Sequence, residues 1–69
     1  MSDLNRALLR AHATDDKPSL VQLYTQAADQ ATDVDAACFY LTHAYVFALE
    51  IDDAAVDALH ARLAAEGRV

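Results

Sequence analysis

Glycine, proline and cysteine occur once each in these 69 residues, and tryptophan does not occur at all. A lone glycine, at position 67, excludes a glycine-rich phosphate loop. A lone cysteine excludes an intrachain disulfide and any zinc site built from cysteine pairs. Lysine and arginine are few and confined to the ends: Arg6, Arg10 and Lys17, then Arg62 and Arg68, with none from 18 to 61. Nucleic acids and anionic membrane surfaces are held by clustered cations, so neither is expected as a partner. No apolar run approaches the roughly 18 residues of a membrane span. The start, Met1-Ser2-Asp3-Leu4-Asn5-Arg6, lacks the basic-then-apolar pattern of a leader, so the expected compartment is cytoplasmic.

What the chain has in quantity is alanine and acid. Apolar residues make up 55% of it, but 16 of them are alanine, which leaves 22 larger side chains to build one small domain over 1–69. The net charge is −6, and the stretch without bases holds Asp29, Asp33, Asp35, Glu50, Asp52, Asp53 and Asp57. Such a surface solubilises a protein, and as an alternative it suits a decoy that occupies a basic protein surface.

Helix propensity is high throughout, and the breaks between helices are legible. Ser2 followed by Asp3 reads as a cap and first turn, and Leu4, Leu8 and Ala11 recur at helical spacing to about Ala13. Thr14-Asp15-Asp16-Lys17 is a polar break, and Pro18 fits the first turn of a second helix with Leu20, Tyr24, Ala27, Ala28 and Ala31 on one face. Thr32-Asp33 caps a third helix over Val34 to Glu50. Asp52 or Asp53 is expected to cap a fourth, striped by Val56, Leu59 and Leu63 and stopped at Gly67. Short connections make consecutive helices antiparallel. The expected fold is all-α, four antiparallel helices forming two stacked hairpins, with a plain four-helix bundle as the alternative.

The third helix has two apolar faces. One holds Val34, Ala37, Cys38, Leu41, Ala44, Tyr45, Ala48 and Leu49. The other holds Ala36, Phe39, Val46 and Phe47, with His43 in its middle and Tyr40 at its edge. A helix apolar nearly all round is surrounded by protein, either its own or a partner's.

Shifting the chain by 34 residues pairs the first helix with the third and the second with the fourth. That period, the run Leu41-Thr42-His43-Ala44-Tyr45 followed by Ala54 and Ala61, and Tyr24 with Ala27 in the preceding unit resemble the tetratricopeptide repeat. Asp16 matches the acid often found in that family's inter-helix turn. The resemblance covers two degenerate units, about 1–34 and 35–68. It departs from the pattern at Leu8 and Thr42, where the family has a small residue, at Thr32 and Glu66, where it has proline, and at Leu4 and Cys38, its first aromatic. The resemblance implies a concave groove for a peptide or protein, lined by Asn5, Leu9 and His12 from the first helix and Phe39, His43 and Val46 from the third. Such a groove, with no base but Arg6 near it, suits an apolar or aromatic segment and not a carboxylate. Two units leave stacking surface uncovered, so a homodimer or an obligate partner is expected.

Catalytic chemistry finds no support. Cys38 lies on the main apolar face with no histidine beside it, and Ser2 and Ser19 sit where capping accounts for them. Two trios have metal-ligating composition: Asp53, Asp57 and His60 on one helix face, and His12, His43 and Glu50 if the first and third helices lie side by side. They support an alternative, a metal- or small-ligand-binding helical protein. The favoured expectation is a non-enzymatic protein-interaction module without cofactor. It acts on itself or another protein through Leu9, His12, Phe39, His43, Val46 and Phe47.

Overall fold

The computed structural model describes residues 3–69, all helix and turn: α1 (Asp3–Ala13), α2 (Lys17–Gln30), α3 (Val34–Glu50) and α4 (Val56–Ala65). The expected cap Ser2 lies outside the described residues. Among the described residues close helix–helix packing runs only between successive helices: α1 on α2, α2 on α3, α3 on α4. The chain is therefore an open row and a flat one, with Cα extents of 31 × 28 × 12 Å. A closed four-helix bundle brings its first and last helices together, and this chain does not.

Local chemistry sets most helix ends. Asp16 caps α2, its carboxylate accepting from the Ser19 amide at 3.4 Å and the Ser19 hydroxyl at 2.6 Å, with Pro18 in the first turn. Asp33 caps α3, accepting from the Ala36 amide at 2.8 Å. The fourth helix departs from expectation. Asp53 accepts from the Ala55 amide at 2.8 Å, which closes a turn ahead of the helix, and α4 begins after Ala55 with no side-chain cap.

Three helices end in the same way. Asp16 N–H donates to Ala11, Asp53 N–H to Ala48 and Arg68 N–H to Leu63, each across a preceding residue of positive φ: Asp15 at 53°, Asp52 at 53° and Gly67 at 70°. This is the Schellman ending, which favours glycine because a Cβ crowds the left-handed conformation. Only Gly67 adopts it without strain. Asp52→Gly is therefore expected to raise the thermal midpoint by about 3–6 °C, a gain of about 0.5–1 kcal/mol, and Asp52→Val to lower it. Unchanged midpoints in circular dichroism melts of both variants would rule out strain at this turn.

The helix ends give no single offset between the hairpins: α1 and α3 end 37 positions apart, at Ala13 and Glu50, and α2 and α4 end 35 apart, at Gln30 and Ala65.

The core lies along the α2–α3–α4 seam: Val21 and Ala28, then Cys38, Leu41, Ala44 and Ala48, then Leu59 and Leu63. Ala44 and Ala48 are fully buried, so small side chains let α2 and α3 approach closely. Among the described residues three ion pairs tie elements together: Lys17–Glu50 at 3.0 Å, Arg62–Asp29 at 2.7 Å and Arg68–Asp35 at 2.6 Å. All three are solvent-exposed, so they orient the helices more than they stabilise them. The hydrogen bond that the Lys17 ammonium donates to Glu50 holds it above the usual lysine range.

Candidate functional site

The second apolar face of α3 divides in two. One part turns toward α2 and meets Tyr24, whose half-buried ring is the hub of an aromatic cluster. His43 stacks on Tyr24 with ring centroids 5.0 Å apart, and Phe47 lies nearly parallel to it at 6.0 Å. Tyr40 stands 6.3 Å from the same ring. From α1, His12 meets it edge-on at 5.8 Å, shares a 2.8 Å hydrogen bond with its hydroxyl, and also meets Phe47 at 5.9 Å. Offset and edge-to-face pairs of this kind each add about 0.5–1.5 kcal/mol beyond the area they bury. Burial raises the Tyr24 phenol above its ordinary range, and Tyr40 adds to the shift.

His43 also reaches back along its helix, with Nδ1 2.8 Å from the Phe39 carbonyl oxygen. A carbonyl only accepts, so Nδ1 carries the proton and the neutral ring keeps its lone pair on Nε2. The same ring lies 4.5 Å from Phe39, which joins the exposed part of the face to the cluster.

The other part of the face is open. Phe39 is 59% exposed and Val46 46%, and Leu49, expected on the core face, is 51% exposed. Val34, expected with it, is also 51% exposed. α3 has one neighbour on each side, α2 and α4, and two neighbours cover only part of its circumference. Asp35, Phe39, Thr42, Val46 and Leu49 then form one exposed stripe at alternating spacings of four and three.

The structure therefore gathers His12, His43 and Phe47 around Tyr24, with Phe39 joined to them through His43 and Tyr40. It leaves Leu9, 57% exposed, and Val46 open to solvent on the same two helices. Next to Leu9, the half-buried Leu8 joins Leu4 and Asn5 in a shallow depression with Ala27 of α2 and Tyr40 of α3. Sequence periodicity put Tyr24 on the apolar face of α2. Its central place among rings from two other helices depends on packing, and no spacing signals it.

The other chemistries fare differently. Cys38 is a buried free thiol among apolar neighbours. Among the described residues no three histidine, cysteine, aspartate or glutamate side chains gather as a metal site, so neither sequence-suggested trio assembles. Glu50 is held by Lys17, and Asp53 is engaged at its own turn. Five of the seven acids between 18 and 61 have partners within the chain: Asp29, Asp33, Asp35, Glu50 and Asp53. That reduces the acidic surface open to a basic partner. Among the described residues no helix is long and apolar enough to cross a membrane.

Compared with family models, curated proteins and solved structures, the chain matches none.

Proposed function

We propose that this chain is a non-enzymatic protein-interaction module of the cytoplasm, built on a tetratricopeptide-like pair of helical hairpins. Its binding surface is the open apolar stripe of α3, supported from behind by the Tyr24 cluster. The observation that carries this reading is the exposure of Phe39, Val46 and Leu49 on the longest helix of a chain with few large apolar side chains. A small monomer gains nothing in stability from three such groups in water, and large exposed apolar patches mark contact surfaces. Phe39 is also held from behind by His43 and Tyr40, with centroids at 4.5 and 5.5 Å, so a partner meets a ring already ordered. An ordered aromatic loses little freedom on binding and suits the centre of an interface.

The test is a photoreactive benzophenone side chain placed in living cells at Phe39, at Val46, or at Ala58, which is exposed on α4. The expected result is a covalent adduct with a protein, this chain included, from positions 39 and 46 and little from 58. No adduct at any position, or equal capture at all three, would overturn the reading.

A further inference from the structure

The exposed stripe of α3 reads alike from either end. Asp35 stands at one end and Glu50 closes the other, with Phe39, Thr42, Val46 and Leu49 between them. Each terminal acid is already matched by a base from another element: Asp35 by Arg68 of the C-terminal tail, Glu50 by Lys17 at the start of α2. The stripe is therefore electrically balanced on a chain of net charge −6. A basic partner finds both acids of α3 already paired, and an acidic one finds no unpaired base in the stripe. The surface that answers it is one of the same make-up, turned end for end.

We infer that the α3 stripe is closed by a second copy of this chain, its α3 lying antiparallel across a twofold axis near Thr42 and Val46. This rests on the reading that the stripe binds protein, and adds which protein and in what orientation. A twofold contact needs a self-complementary patch, and a stripe that reads alike from both ends supplies one. Spacings of four and three let two helices interdigitate along such a seam. The antiparallel arrangement sets Phe39 beside Leu49 of the second copy and small Thr42 beside Val46. It opposes the helix dipoles, whereas a parallel pair would set Phe39 on Phe39 and like helix ends together. It also carries the Asp35–Arg68 pair of each copy to the end of α3 where the other's Glu50–Lys17 pair lies. Each end of the paired helices then carries two acids and two bases.

The first measurement is the solution mass of the purified full chain across dilution, by sedimentation equilibrium, for wild type, Val46→Glu and Phe39→Ala. The expected result is a wild-type dimer, with mass falling twofold in Val46→Glu at unchanged far-ultraviolet dichroism, and a weaker dimer in Phe39→Ala. Position 46 is exposed in the single chain, so the glutamate leaves the fold intact. Orientation is tested by mixing Phe39→Cys with Leu49→Cys chains, both in a Cys38→Ala background, under mild oxidation. Disulfide heterodimers are expected to exceed both homodimers. A wild-type monomer at high concentration, or a dimer indifferent to Val46→Glu, would overturn the inference. So would preferential Phe39→Cys homodimers. If the purified chain is monomeric while photocapture at positions 39 and 46 still yields another protein, the inference fails and the interaction reading stands. If capture fails as well, both fall.

Discussion

Leu63→Ala is expected to cost about 2–5 kcal/mol, the usual range for truncating a fully buried leucine. Leu63 is 1% exposed, and with Leu59 it is one of only two buried residues on α4, a helix whose close backbone packing among the described residues is against α3. A 69-residue domain has roughly 3–10 kcal/mol of stability in all, at the usual 0.05–0.15 kcal/mol per residue. The variant is thus expected to melt about 10–30 °C below wild type, or to lose α4 before the remaining helices. Leu63→Met conserves volume and is expected to stay within about 1.5 kcal/mol. Thermal denaturation followed by circular dichroism checks both. A fall of only a degree or two for the alanine variant would mean that α4 is held by something other than this contact.

Tyr24→Ala is expected to cost about 2–4 kcal/mol, slightly less than a fully buried aromatic because the ring is half-exposed. The loss comes from one site, but three helices register it, since His12, His43 and Phe47 all rest on that ring. Tyr24→Phe keeps every ring contact and removes only the hydrogen bond to His12, a solvent-exposed one, so it should cost less than about 1 kcal/mol. Ring-current shifts of the two histidines in proton NMR distinguish the variants: near wild type in the phenylalanine variant, collapsed toward free values in the alanine one. Equal destabilisation by the two substitutions would move the weight from stacking to the hydroxyl. Alkali is expected to act through the same residue. Burial raises the Tyr24 phenol above its ordinary value of 10.0, so the neutral ring's contribution is complete below that pH and is lost as pH rises through the raised value. The phenylalanine variant should lack this component of the alkaline decline.

Much of the architecture was legible because short-range chemistry writes it locally. Asp33 before Ala36, Pro18 in a first turn and Gly67 past a last one each mark a boundary with their own side chain or backbone, and α3 begins where Asp33 puts it. The start of α4 was misplaced because an aspartate serves a turn as readily as a cap, and Asp53 serves the turn. At the candidate site, periodicity found two faces on α3 but not which neighbour covers which. Leu49 sits at the margin of the core arc, where a few degrees of helix rotation separate burial from the 51% exposure it has. Periodicity places Tyr24 on the apolar face of its own helix, whereas its surroundings are set by α1 and α3 arriving on either side.

The central core cluster draws residues from α2, α3 and α4 and none from α1, whose only buried residue is Ala11. The first helix can therefore lift away while the other three keep their packing, an opening far cheaper than global unfolding. Its departure uncovers the His12 edge of Tyr24 and leaves the α3 stripe untouched. The proposed contact surface on α3 would thus stay in place while α1 opens. Amide exchange in 3–13 is expected to be faster than in the other three helices, whether or not the stripe is occupied.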